Sequence, residues 1–287
     1  MLAFLFVSCA GKEATDDPAD AFLPGVKIAE LNSKELKEIS GLAASISNRR
    51  MLWAHNDSGN EPEVYLLNEK LEIKLTIRLD GIENRDWEDI TVGPGPADGK
   101  NYIYVGEIGD NDAQYEYKYI YRFEEPKWSG EHDEKIALRE FDRITFNLSD
   151  EVKDTETLMI DPTTKSLYVV SKREEPVYVY ELTYPQSTTN VISAAKLFSL
   201  PFSKIVGGDV SASGNEILLK NYNHVFYWST TTPKPFIDIL KTEPRQVPYE
   251  QEPQGESIAL SRDGNGFYTI SEKVKKEKSY LYFYQRK

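Results

Sequence analysis

The chain has 287 residues, 40% of them hydrophobic and 12% aromatic, which is enough apolar material for a packed core and sets it apart from disordered chains. Asp and Glu total 47 against 34 Lys and Arg, a net charge of -13. That balance excludes a nucleic-acid binder working through a basic footprint and disfavours anionic lipid surfaces, leaving small cations, cationic groups or neutral sugars as partners.

Taken in chain order, residues 1–9 form an apolar run that ends in Ser8 and Cys9, the single cysteine, so no internal disulfide forms. The run resembles the lipobox of bacterial lipoproteins, in which the cysteine is acylated and becomes the first mature residue. Phe6 stands where Leu or Val is usual and no basic residue precedes the run. A signal peptide begins with a basic stretch and about 7–15 apolar residues, so the reading expects a signal peptide cut short at its start. Spanning a bilayer takes about 20 apolar residues, more than are present. Residues 10–24 read as an acidic, Pro-containing flexible tether, and 25–287 as one domain. The expected address is the bacterial cell envelope, lipid-anchored and facing the periplasm or the cell surface.

From residue 38 onward one pattern recurs. An acidic residue opens a short apolar strand, a turn follows, then a second apolar strand with a polar end, then a Tyr-rich or apolar third strand. The first copy covers 38–42, 51–57 and 63–67; the second 87–92, 102–107 and 119–122; the third 156–160, 167–171 and 177–180. The fourth covers 209–211, 216–220 and 225–228, and the fifth 256–260, 266–271 and 280–284. The opening acids, Glu38, Glu88, Glu156, Asp209 and Glu256, are spaced 50, 68, 53 and 47 residues apart. Four-stranded propeller blades take about 40–50 residues. The strands are rich in Val, Ile, Tyr and Phe and bounded by Gly, Asn, Asp and Pro, and no segment keeps a helical period long enough for a core helix. The pattern predicts an all-β, five-bladed β-propeller, with a sixth blade around 136–146 as the alternative. The last copy lacks a fourth strand and residues 25–31 are an orphan strand, so the N-terminal strand is expected to pair with the C-terminal blade and close the ring.

In such a ring the opening acids gather at one channel mouth, so Glu38, Glu88, Glu156, Asp209 and Glu256 are candidate ligands for a cation. Oxygen-only ligands suit Ca²⁺, which takes about six to eight of them. The competing reading has the same acids capping strand starts and pairing with Lys172 and Lys220. The ends of the second strands add Asp57, Asn111, Lys172 and Lys220 as candidate ligand-binding residues. The second copy is the least regular: Glu88 and Asp89 directly follow Trp87, and Glu107 and Asp110 lie beside glycines. These four carboxylates are candidate metal ligands or an acid/base pair. Trp87 reads either as a wedge between blades or as a sugar platform. His55, His132 and His224 form no His-Glu-x-x-His motif, and neither a P-loop nor an EF-hand is present.

The segments 40–45, 52–59, 86–90, 106–111, 208–211 and 255–258, among them Asp86-Trp87-Glu88-Asp89-Ile90, resemble as a set a family of secreted bacterial propeller proteins whose members are mostly uncharacterised. The set is similar in places to the phytase-like and SdiA-regulated propeller families. The resemblance implies a propeller and export. Its phytase-like side implies Ca²⁺ and phosphate esters, although only Lys172, Arg173 and Lys220 are available for the dense basic group such a site uses. Three functions follow as expectations: an envelope binding or scaffold module with an acidic channel mouth, a metal-dependent hydrolase of phosphate esters or glycosides, or a carbohydrate-binding module. The corresponding partners are a small molecule, a glycan or an envelope protein.

Overall fold

Strands that are apolar at every position must bury both faces, and the structure shows how. A computed structural model describes residues 21–274 and 277–287. Cys9 and the expected tether up to Asp20 lie outside the described residues.

After β1 (Val26–Glu30), the chain makes β2 (Ile39–Ala44), β3 (Met51–Asn56), β4 (Glu63–Asn68) and β5 (Ile73–Leu79), then β6 (Trp87–Pro94), β7 (Asn101–Glu107), β8 (Lys118–Glu124), β9 (Glu134–Leu138) and β10 (Asp142–Leu148). It continues with β11 (Thr155–Ile160), β12 (Leu167–Ser171), β13 (Val177–Leu182) and β14 (Ile192–Leu200), then β15 (Ile205–Val210), β16 (Glu216–Asn221) and β17 (Val225–Ser229). The short helix α1 (Phe236–Leu240) precedes β18 (Arg245–Val247), and β19 (Gly255–Leu260), β20 (Gly266–Ser271) and β21 (Tyr280–Gln285) complete the chain.

The sheet orders are β2-β3-β4-β5-β9, β15-β16-β17-β18 and β1-β21-β20-β19. An eight-stranded sheet joins β6-β7-β8-β10 to β14-β13-β12-β11 through the parallel pairing of β10 with β14. The long segment between the second and third copies of the pattern is used up at sheet edges. Strand β9 runs back to pair in parallel with β5, and β10 pairs with β8. The first strands touch in a cycle, β2 to β6 to β11 to β15 to β19 and back to β2, which makes the architecture a β-propeller.

Alternate residues of a strand serve different neighbours. Ala43, Trp53 and Leu66 pack towards β6, with Trp87, Ile90 and Val92. Leu42, Leu52, Ala54 and Leu67 pack the other way, with Ala259, Tyr268 and Ile270. Every other interface between adjacent sheets has its own apolar cluster of this kind.

The expected closure of the ring is present. Strand β1 pairs antiparallel with β21, Val26 opposite Phe283 and Glu30 opposite Tyr280. Packing begins earlier than the expected domain start at residue 25: Phe22 is buried, edge-on to Tyr227 and Phe267 with ring centroids 5.1 and 5.0 Å away.

Candidate functional site

Each innermost strand carries a β-bulge close to its start, between Ile39 and Gly41, Trp87 and Asp89, Thr155 and Thr157, Ile205 and Gly207, and Gly255 and Ser257. The bulged residues are therefore Ser40, Glu88, Glu156, Val206 and Glu256. A bulge inserts one residue and re-aims its side chain. Three of the five opening acids, Glu88, Glu156 and Glu256, thus stand at one structural position around the mouth.

The other two do not. Glu38 lies two residues before the bulge, is exposed, and accepts a 2.7 Å hydrogen bond from Asn60 Nδ2. Its true counterparts are Asp86 and Asp154, which also stand two residues before a bulged glutamate. Asp209 lies three residues past its bulge, buried in the channel wall. Its Oδ1 accepts from the Val210 N–H and its Oδ2 from the Leu260 N–H of the next sheet, both at 2.8 Å. Asp89 does the same two sheet boundaries earlier, accepting from the N–H groups of Ile90 and Leu158 at 2.9 Å. An innermost strand has no neighbour on its channel side, so its N–H groups need such acceptors. Asp209 leaves the expected cation ring, and Asp89 leaves the expected catalytic set, for this reason.

At the mouth, Glu88 belongs to two groups of carboxylates. Oxygens of Asp57, Asp86 and Glu88 lie within 4.8 Å of one another, and so do oxygens of Glu88, Asp154 and Glu156. Asp86 is 8% exposed and Glu88 5%. Among the described residues no donor hydrogen-bonds to either carboxylate and neither forms an ion pair. A Cβ on Gly109 would collide with Glu88 Oε1 and the Asp86 carboxylate, so a larger residue there would displace the two carboxylates under the 108–111 loop.

Electrostatics follow from this crowding. Burial, then the charges of Glu156, Asp57, Asp86 and Glu256, hold Glu88 well above the usual carboxylate range. Burial with Asp57 and Asp154 pushes Asp86 up to about 6. Glu272, across the mouth, is pushed up to about 8 by burial and by Glu256, Asp57 and Glu38. Its Oε1 is buried without a hydrogen-bond partner, and Tyr222 donates to Glu256 at 2.7 Å. On the far side of Glu88, Lys172 pairs with Glu156, and Arg173 Nε donates to Asp154 Oδ2 at 2.8 Å. Burial works against the Lys172 ammonium, but the Glu156 carboxylate outweighs it and raises its pKa.

The remaining sequence candidates occupy other places. Trp87 is fully buried, edge-on to His55 at 5.6 Å, and its Nε1 donates to Glu107 at 3.3 Å; it is a wedge and not a sugar platform. Glu107 is taken up beneath it, accepting also from Tyr121 at 3.1 Å. Asp110 caps its own loop, accepting from the Gln114 and Tyr115 N–H groups at 2.8 Å. Asn111 accepts from Arg173. Lys220 is fully buried between the fourth and fifth sets of strands, donating to Tyr249 at 2.9 Å and to the Gly255 carbonyl. Of the four catalytic candidates only Glu88 faces the mouth.

Sequence reasoning passed over Asp154. The signal was available as an acid-x-Glu spacing shared by Asp86 with Glu88 and Asp154 with Glu156. The far end of the channel is crossed by Arg262, which donates to the carbonyls of Ala44 and Val92 at 2.8 Å. Beyond it lies a groove of about 880 Å³ walled by Met51, Tyr268 and Phe283, remote from the carboxylates.

No protein-family model matches the sequence, and no curated protein matches it. Among solved structures, the crystal structure of a nidogen/laminin complex aligns with 82% of this chain and 73% of that one, at 14% identity and a TM-score of 0.45. The Neurospora crassa Pan2 WD40 domain aligns over 92% of this chain and 96% of its own, at 10% identity and a TM-score of 0.45.

Proposed function

We propose that the chain is a five-bladed propeller that holds one divalent cation, Ca²⁺, between Asp57, Asp86 and Glu88 at its channel mouth, and works as a binding or scaffold module of the cell envelope. The cycle of β2, β6, β11, β15 and β19 supports the blade number. The lipobox-like end at Cys9 supports the address.

The observation that carries the cation is the state of Asp86 and Glu88, more than nine-tenths buried, close together, and without a hydrogen-bonded or paired positive group. Buried carboxylates are ordinarily paired, hydrogen-bonded or bound to metal. All-oxygen ligands favour a hard cation, and the loose spacing of carboxylates from three different segments suits the adaptable sphere of Ca²⁺ better than the strict octahedron of Mg²⁺. Three protein carboxylates leave part of a sphere of about six to eight oxygens to water or to a bound partner. Such an ion would present a ligand at the mouth.

The hydrolase reading has less support. It relied on an acid/base pair among Glu88, Asp89, Glu107 and Asp110, and the last three accept hydrogen bonds from groups around them.

Calorimetric titration with Ca²⁺ tests the cation directly. The wild type is expected to bind, and Glu88→Gln to bind at least tenfold more weakly. Gly109→Ala, which forces the two buried carboxylates to move, should weaken binding in the same direction. A wild type that takes up no Ca²⁺, or a Glu88→Gln variant with unchanged affinity, overturns the assignment.

A further inference from the structure

The two carboxylate groups that share Glu88 differ in what already neutralises them. The Asp57 carboxylate accepts only the Ser58 N–H at 2.5 Å, and the carboxylates of Asp86 and Glu88 accept from no donor among the described residues. In the second group Glu156 is ion-paired with Lys172, and Asp154 accepts from Arg173 at 2.8 Å and from the Asp110 N–H at 2.9 Å. Lys172 comes from the end of the second strand of its sheet, just past β12, and only 14% of its side chain is exposed. Its ammonium also lies over the Tyr222 ring, 5.7 Å from the centroid. The phenol of that ring is tied to Glu256. The ammonium is thus held from two sides, on one of the carboxylates that a second ion would need.

We propose that Lys172 is a tethered cation filling the second half of the mouth, and that it limits the channel to one divalent ion. The inference rests on the cation reading given above. Two metal ions bridged by a shared carboxylate stand about 3.5–4 Å apart in two-metal sites, and Glu88 is placed as such a bridge between the two groups. With Lys172 present, a second ion at Glu88, Asp154 and Glu156 would face an ammonium on its own ligand. Without it, the second group gains a free carboxylate in a pocket with surplus negative charge. Arg173 does not substitute, because its guanidinium is half exposed and contacts Asp154 and Asn111 rather than Glu156.

The test counts ions. Native mass spectrometry and calorimetry with Ca²⁺ are run on the wild type, Lys172→Gln, Lys172→Met and Lys172→Arg. Circular dichroism confirms that each is folded. The wild type and Lys172→Arg are expected to bind one ion, and both neutral variants two. Gln keeps a donor to Glu156 while Met keeps only the stem, so the count survives if one of them fails to fold. Adding Glu156→Gln to either neutral variant should return the count to one. A neutral variant that folds and still binds one ion overturns the inference, as does a wild type or Lys172→Arg protein that binds two. A wild type that binds none would instead remove the cation reading beneath it, and the two failures are distinct.

Discussion

Lys220→Met is expected to lower the stability of the folded chain by about 3–5 kcal/mol, because it leaves the buried Glu252 carboxylate, which Lys220 reaches through Tyr249, without the ammonium whose charge offsets it. Lys220 is fully buried and donates to the Tyr249 hydroxyl and the Gly255 carbonyl, and Tyr249 donates in turn to Glu252 Oε2 at 2.9 Å. The other oxygen of Glu252 is buried without a partner. Removing the ammonium leaves a nearly buried carboxylate with no positive neighbour in this network. The double variant Lys220→Met/Glu252→Gln should recover more than half of the loss, since a neutral amide can still accept from Tyr249. Urea unfolding followed by circular dichroism measures both. A single variant within 1 kcal/mol of the wild type would show that this network holds nothing together.

The same pair predicts a pH dependence of fixed sign. Burial pushes Glu252 up to about 7 against the pull of Lys220 and Tyr249, and burial brings Lys220 down to about 8 against the pull of Glu252 and Glu256. A carboxyl that keeps its proton more tightly when folded loses stability as pH rises from its ordinary 4.5 towards 7. A lysine that keeps its proton less tightly when folded gains stability as pH rises from 8 towards its ordinary 10.5. The pair's contribution is therefore lowest between about pH 7 and 8. The dip should disappear in the double variant, and the Lys220→Met penalty should grow as pH rises from 5 to 8. A penalty independent of pH over that range would assign it to lost packing instead.

Trp87→Ala should cost about 3–5 kcal/mol as well, through a different cause: the cavity left by a large aromatic side chain. Trp87 is fully buried in the apolar cluster between the first and second sheets, with Trp53, Val64, Ile90 and Tyr121 in the same cluster. Its indole N–H is one of two side-chain hydrogen bonds reaching Glu107 Oε2. The expected result is a lower urea midpoint with an unchanged slope. Trp87→Phe should fall in between, refilling part of the volume but not the hydrogen bond. A loss under 1 kcal/mol for the alanine variant would mean that the interface closes over the gap or does not depend on this wedge.

The sequence made the strand pattern legible because the two inner strands of each copy are buried on both faces and the turns joining them carry Gly, Asn, Asp or Pro. It also singled out Glu88, Glu156 and Glu256, which share one position on their innermost strands. It did not show the phase of the innermost strands. Aligning copies on their first acid treats Glu38 and Asp209 as equivalents of Glu88, but a bulge adds one residue to one strand of a pair without leaving a compositional mark. Once strand pairing fixes the bulges, Glu38 slips outward by two residues and Asp209 inward by three. The fates of Trp87 and Lys220 were hidden for a related reason. A strand that packs on both faces does not reveal which neighbour a given side chain meets, so an aromatic near an acidic stretch reads equally as wedge or platform. Lys220 looked like a counter-charge for the mouth, yet it donates to Tyr249, in a loop before the last innermost strand, and to the carbonyl of Gly255 at that strand's start.

Strand β1 is the first of the described strands in chain order, and β21, its partner, is the last. No ordering of local folding steps can close the ring early: β1 and β21 must find each other across all the strands between them, a contact of large sequence separation and of the slowest kind to form. Until then the final three strands present a bare edge, able to pair with another chain. A partner that covered that edge would act as a chaperone for this molecule, and a tug on the chain at Phe22 would be felt first at the seam.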